Sequence, residues 1–427
     1  MIHFAYSIAL YLALPFLFLA LVWKMAAQGR GGEGFCQKLG FFLPRQTNPT
    51  IWIHAVSVGE TMAAIGLAKE IISSAPGMRV MFSTTTPTGQ AVAQKELSPD
   101  ANVFYFPYDF PGSAKRAIRA VNPKVLVLVD TEIWPNVIRA CVNNGGKVAL
   151  INGRVSDRSF PRYRRFSSIF RFVLSQISLF LMQSEIDGER IVEMGADPAR
   201  VDIAGNLKFD RLSENISENE RAGLRRSLGI GLDEKIVFLG SVHKGEETAI
   251  GAVLKVRESR PGLRLVIAPR RIDDIEWIKS ALEGSGLEPV RKSMMGDGSK
   301  TAQDKSIVPV IDTFGELARL YSVADVAFVG GSFISHGGQN PLEPAGSGVP
   351  VVFGPHMSNF REASRALVTA GGAFTVDDKK EMSKRLETLL ADDRLRMAAG
   401  KAALDVVEKN RGATKKTALR ILALADD

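Results

Sequence analysis

A chain of 427 residues is too long for one ordinary hydrophobic core and calls for two domains of about 150–200 residues each. Its 45% hydrophobic and 23% charged residues, without low-complexity tracts, exclude a disordered or fibrous protein, and 54 basic against 46 acidic residues favour anionic partners: nucleic acid, anionic lipid or a phosphorylated substrate. Two distant cysteines, Cys36 and Cys141, exclude a disulfide framework, and the five histidines show no metal-ligand spacing, so a reducing compartment and no bound metal are expected.

Residues 4–23 form an uncharged apolar run, long enough at about 1.5 Å per residue to cross the hydrocarbon core of a bilayer. No Lys or Arg precedes the run, whereas Lys24, Arg30, Lys38 and Arg45 follow it. The positive-inside rule then predicts an N-terminal anchor over 1–25, with the rest of the chain in the cytoplasm. Pro15 would kink such a helix or lay it shallowly in one leaflet. The GxGxxG-like pattern at 29–34 follows this segment rather than a strand, so it reads as a tether and not as a dinucleotide fingerprint.

From residue 51 onward, short β-branched runs alternate with amphipathic helical stretches. Strands are expected at 51–56, 79–84, 102–107, 124–130, 147–152, 179–183 and 201–204, with helices such as 60–72, 112–121 and 134–143 between them. A polar linker starts near 213. The alternation then resumes with strands at 235–240, 263–268, 307–312, 325–330 and 349–354, and ends in long charged helices from Lys379. The pattern predicts two doubly wound, Rossmann-like α/β domains, with ligands at the carboxyl ends of their strands and a cleft between the two sheets.

The motifs fall at those strand ends. At HAVSVGE, 54–60, a helix begins at Glu60, which is either an ordinary first-turn acid favoured by the helix dipole or a general base for an acceptor hydroxyl. At STTTPTG, 83–89, the hydroxyls suit either capping or an oxygen-rich substrate. DTEIWPN, 130–136, closes an apolar strand with two carboxylates, and Pro135 fits a first helical turn. The stretch 152–172 interleaves Arg154, Arg158, Arg162, Arg164, Arg165 and Arg171 with Phe160, Tyr163, Phe166, Phe170 and Phe172. That mixture suits an anionic lipid surface or single-stranded nucleic acid, and the adjacent anchor favours lipid. Lys208 in GNLKFD, 205–210, is a surface lysine or a cation for a leaving phosphate.

In the second half, GSVHKGEE, 240–247, is a strand–loop–helix junction with Ser241 and His243, and Pro269 and Arg270 end the next strand. FGEL, 314–317, and the Gly-rich loop running into Asn340, Pro341, Leu342 and Glu343 complete the set. A carboxylate in such a helical turn can take ribose hydroxyls.

Together these motifs resemble the 3-deoxy-D-manno-octulosonic acid (Kdo) transferases of lipopolysaccharide synthesis. The resemblance rests on HAVSVGE at 54–60, TEIWPN at 131–136, INGRVS at 151–156, GNLKFD at 205–210, GSVHKGEE at 240–247, APRR at 268–271 and GGQNPLEPA at 337–345, with the N-terminal run before them. It implies the GT-B fold: an anchor at 1–25, an acceptor domain at 35–212, and a nucleotide-sugar domain at 213–427 whose last helix crosses back. It implies inverting transfer of Kdo from CMP-Kdo to a hydroxyl of the lipid A precursor, at the cytoplasmic face of the inner membrane, with no cofactor and no metal. Glu60 would be the base, with Glu132 and Lys208 supporting the transition state. Ser241, His243, Pro269, Arg270, Gly315, Glu316, Leu317, Asn340, Pro341, Leu342 and Glu343 would hold the nucleotide. A GT-B transferase using a UDP-sugar is the alternative among enzymes. A membrane-tethered nucleotide or lipid binder without chemistry is the alternative outside them. The number of Kdo residues added, the oligomeric state and the depth of insertion are left open by the pattern.

Overall fold

A computed structural model describes residues 6–8, 10–12, 34–157, 159–211, 216–272, 275–296, 304–313 and 315–426. Most of the apolar run 4–23, and most of the glycine-rich 29–34, lie outside these residues. Among the described residues no helix is long and apolar enough to cross a membrane. The chain divides into two units, Met1–Arg211 with Asn410–Asp427, and Leu212–Lys409.

The first unit is built on seven parallel strands: β1 (Thr50–Ala55), β2 (Arg79–Thr84), β3 (Asn102–Tyr105), β4 (Pro123–Val129), β5 (Lys147–Gly153), β6 (Leu179–Met182) and β7 (Val201–Ile203). Their order is β3-β2-β1-β4-β5-β6-β7. Alternate residues of the central strands enter opposite cores. Ile51, Ile53, Val125 and Val127 pack with the helix Val58–Ser74, while Trp52, Leu126 and Leu128 pack with the helices Pro111–Val121 and Pro135–Asn143. A sheet covered on both faces needs apolar side chains at odd and even positions alike, which is why β4 reads as a continuous run. The last helix, Ala413–Asp426, belongs to this unit and buries Ala418, Ile421 and Ala425 in the first of those cores. Its entry is pinned by Asp210, which accepts from the backbone N–H groups of Gly412 and Thr414.

The second unit repeats the plan with β8 (Ile236–Val242), β9 (Arg264–Pro269), β10 (Glu288–Arg291), β11 (Ile307–Val310), β12 (Val326–Val329), β13 (Val351–Phe353) and β14 (Ala373–Thr375). The order is β10-β11-β9-β8-β12-β13-β14, again all parallel. The two edge strands β10 and β14 are additions to the sequence reading. β10 has no fully buried residue and β14 is three residues long, so neither carries the apolar run that marks a central strand. The other expected strands are present, with ends matching or shifted by at most two residues.

In each sheet the chain turns from one edge to the other beside its first strand, between β1 and β4 and between β8 and β12. Such switch points open a crevice at the carboxyl ends, where doubly wound sheets bind ligands. Both sheets are also bulged near there. The register shifts at Asn152 in β5 and at Ser241 in β8, and both residues have left-handed backbones, φ 52° and 53°.

Candidate active site

In the first unit, Ser57 caps the helix Val58–Ser74, its hydroxyl accepting from the Glu60 N–H at 3.3 Å. The Glu60 carboxylate reaches back, accepting from the Ser57 hydroxyl at 2.7 Å and the Val56 N–H at 2.8 Å. Cap and carboxylate together brace the first turn of the helix against the end of the strand. The local reading of Glu60 as a helix-start acid is therefore realised, and it fixes the carboxylate just past the end of β1.

Across the switch point, β4 ends at Val129 and Asp130 adopts φ 58°. The Asn152 side-chain amide donates to Asp130 Oδ1 at 2.5 Å, while Asn152 Oδ1 accepts from the Leu207 N–H at 3.0 Å. Thr131 and Arg154 tie the same two loops together, the Thr131 hydroxyl donating to the Arg154 carbonyl and accepting from the Arg154 N–H. Burial raises the Asp130 carboxyl, as does the charge of Glu60, while Lys208, Asn152 and Arg154 oppose the rise. Burial likewise pushes Glu132 up to about 7, with Glu60 and then Asp130 adding to it. Burial and neighbouring negative charge both favour the protonated form of a carboxyl group. Glu60, Glu132 and Lys208, singled out in the sequence, are thus brought to one place. Asp130, Asn152 and Arg154 join them. Asp130 was visible as the first acid of DTEIWPN, whereas Asn152 stood in INGRVS at a strand end with no role attached to it.

His54, Phe106 and Trp134, next to these strand ends in the chain, form an aromatic cluster. The His54 ring stacks on Phe106 with centroids 3.5 Å apart, and Phe106 meets Trp134 at 5.5 Å. His54 is fully buried, its Nδ1 lies 3.1 Å from the Ser83 carbonyl and hydroxyl, and burial drops its pKa to about 3. It is a neutral core imidazole. His54 Nε2, Thr85 Oγ1 and Trp134 Nε1 are buried without hydrogen-bond partners among the described residues. The STTTPTG turn resolves into a cap: Thr86 accepts from the Gly89 N–H at 3.2 Å, with Pro87 opening the helix.

In the second unit, the expected nucleotide residues lie at the carboxyl ends of β8, β9, β11 and β12. Pro269 pairs with Val242, and the Arg270 N–H donates to the Val242 carbonyl at 2.8 Å. His243 Nε2 lies 3.2 Å from the Gln339 amide nitrogen, and its ring is 4.8 Å from that of His336. Burial lowers its pKa, with His336 and Arg270 acting in the same direction and Glu246 against it. Asn340 Oδ1 accepts from the Leu342 N–H at 3.1 Å, and its amide donates to Glu343 at 3.2 Å. The Glu316 carboxylate is already engaged by Lys292 at 2.9 Å, so the segment 315–317 offers backbone more readily than charge.

The residue that organises this edge escaped the sequence reading. Glu246 is fully buried. One oxygen accepts from the N–H groups of Gly331 (2.7 Å) and His243 (3.0 Å), the other from those of Ser332 and Phe333, both 3.0 Å. It clamps the β8 loop to the β12 loop. In GSVHKGEE nothing distinguishes it locally from Glu247, which is exposed. Gly240 is required beside it, since a Cβ there would run into the Tyr321 ring.

Residues 33–211 match a family model described as 3-deoxy-D-manno-octulosonic-acid transferase. Over 418 residues the chain is 31% identical to the 3-deoxy-D-manno-octulosonic acid transferase of Haemophilus influenzae, covering 97% of this chain and 96% of that protein. The chain belongs to the Kdo transferase family. It is a glycosyltransferase. The Bordetella pertussis Kdo transferase is 32% identical over 405 residues, 92% of this chain and 91% of that one. A bifunctional glycosyltransferase/methyltransferase of Fusobacterium nucleatum is 35% identical over 341 residues, 79% of this chain but 52% of the longer protein. Among solved structures, a putative UDP-N-acetylglucosamine 2-epimerase from Listeria monocytogenes superposes with a TM-score of 0.57 at 14% identity, covering 89% of this chain and 96% of that one. A Rickettsia africae glycosyltransferase gives 0.56 at 11% identity, with 89% and 98% covered. At such identities these two show a shared two-unit GT-B fold and no more.

Proposed function

We propose that this Kdo transferase family member moves Kdo from CMP-Kdo to a hydroxyl of the lipid A precursor, with inversion, and releases CMP. The observation that carries the reading is the cluster at the β1/β4 switch point, where Glu60, Asp130 and Glu132 share one site with Lys208 and Arg154. In a single in-line displacement the acceptor oxygen loses its proton, a carbon–oxygen bond forms to the sugar, and the bond from sugar to CMP phosphate breaks. Glu132 holds a proton up to about pH 7, so the base role falls to Glu60 at the helix start. Lys208 offsets negative charge as CMP departs.

The donor's cytidine monophosphate is assigned to Ser241, His243, Pro269, Arg270, the segment 315–317 and the segment 340–343, with Glu343 toward the ribose. The acceptor is a lipid, and the protein works at the cytoplasmic face of the inner membrane, held there by residues 4–23 as a single-pass or shallow anchor. The helices Phe160–Arg165 and Ser167–Leu174 support this placement: Phe166 and Phe172 are 49% and 42% exposed, beside exposed arginines. Incubation of the purified protein with CMP-Kdo and a tetraacylated lipid A precursor, read by mass spectrometry, tests the reading and counts the residues added. Absence of Kdo from the product overturns it. Competition by UDP rather than CMP would move the donor to the UDP-sugars.

A further inference from the structure

A cavity of about 450 Å3 in the second unit lies outside the residues assigned to the nucleotide. It opens at the carboxyl ends of β13 and β14, and the helix Arg361–Thr369 forms one wall through Arg361, Ser364 and Arg365. Its volume falls within the roughly 300–1,000 Å3 typical of small-molecule sites. Two guanidinium groups and five Ser or Thr hydroxyls line it, and no carboxylate does. Ser364 is 6% exposed, yet its hydroxyl has no hydrogen-bond partner among the described residues. A buried hydroxyl left unpaired is costly, and one that lines a cavity finds its partner in whatever fills that cavity. Arg365 enters no ion pair among the described residues.

The cavity abuts the nucleotide segment. Gly337, the first residue of the 337–345 loop, lines it. The loop after β13 is fastened to that loop through Asn359, whose amide donates to the His336 carbonyl at 2.9 Å and whose N–H donates to the Gly337 carbonyl at 2.8 Å. The two loops meet so closely that a Cβ at Gly337 or Gly338 would run into Asn359 or Met357. A ligand held at Asn340–Glu343 therefore has this cavity as its neighbour.

We propose that the cavity is the subsite for the acidic sugar of the donor, its carboxylate against Arg361 and Arg365 and its hydroxyls against Ser364 and Ser358. Paired guanidinium groups match a carboxylate in charge and geometry, and the hydroxyls match a polyol ring. The proposal rests on the donor being a nucleotide-activated sugar acid, as proposed above.

The test is the double variant Arg361→Ala/Arg365→Ala, measured in transfer assays with CMP-Kdo and in inhibition by free CMP. Loss of charge-assisted contacts predicts a KM for CMP-Kdo raised about tenfold or more, while the CMP inhibition constant changes less than about twofold. Arg365→Lys, which keeps the charge, recovers part of the loss. An unchanged KM overturns the proposal, and so does a CMP inhibition constant that weakens by the same factor. If the parent protein fails to transfer from CMP-Kdo at all, the donor reading falls. The cavity is then judged by saturation-transfer NMR with free Kdo, where equal signals from parent and double variant overturn it and a signal lost in the variant supports it.

Discussion

Each unit sets a glutamate at the same topological point, past the first strand of its sheet, beside the switch point, and at a helix start. The two are used in opposite ways. Glu60 is partly exposed and makes two short bonds, both within its own turn. Glu246 is fully buried and spends both oxygens on four backbone N–H groups from two separate loops. A carboxylate saturated by backbone donors cannot turn away from them without leaving those donors unpartnered. The same residue type at equivalent places thus braces one helix turn in the first sheet, where we propose it also serves chemistry, and clamps two loops in the second; only the surroundings tell them apart.

The contrast can be broken by substitution. The largest effect is expected from Glu60→Ala: Kdo transfer falls about 10²–10⁴-fold, while loss of the bonds to the Val56 N–H and the Ser57 hydroxyl costs only about 1 kcal/mol of stability. Near-normal transfer in a purified assay, with CMP binding intact, would remove Glu60 from the chemistry. Glu246→Ala should do the reverse. It strands four N–H groups, two of them fully buried, and lowers the unfolding free energy by about 3 kcal/mol or more, visible in denaturant melts, and an unaltered melt would show that the clamp is dispensable. Gly240→Ala brings a methyl group against Tyr321 at the same edge and should cost about 1–3 kcal/mol by overpacking. A variant as stable as the parent would mean that Tyr321 yields freely.

The smallest effect concerns pH. Glu132 has a folded pKa of about 7, raised above its ordinary carboxylate value. Its favourable protonated form is fully present below about pH 4.5 and is lost as pH rises through 7. Glu132→Gln, which cannot ionise, should therefore match the parent in stability at pH 4 and exceed it at pH 8 by about 1–2 kcal/mol, solvent screening included. Equal stability of the two proteins at both pH values would show that the crowding of carboxylates is relieved.

The central strands were legible because a parallel sheet covered on both faces demands unbroken apolar runs, and Val125–Val129 or Val237–Leu239 have no other use. Glu60, Glu132 and Lys208 were legible as acids and a base at strand ends. Asn152 and Glu246 were not, because their work is done on partners distant in the chain: Leu207 and Asp130 for one, Gly331 through Phe333 for the other. The edge strands β10 and β14 failed for a different reason, being too short and too polar to carry a period.

The sequence by itself determined two doubly wound units, their central strands, and the placing of Glu60 past one strand end and of Asp130 and Glu132 past another. Local pattern suffices for that, since it records which faces are buried. Only the tertiary structure decided that strands β1 and β4, far apart in the chain, are neighbours, so that burial first, and then the charges of Glu60 and Asp130, raise the Glu132 carboxyl to about 7. Proton affinity depends on distance and burial, and neither is written in the order of residues.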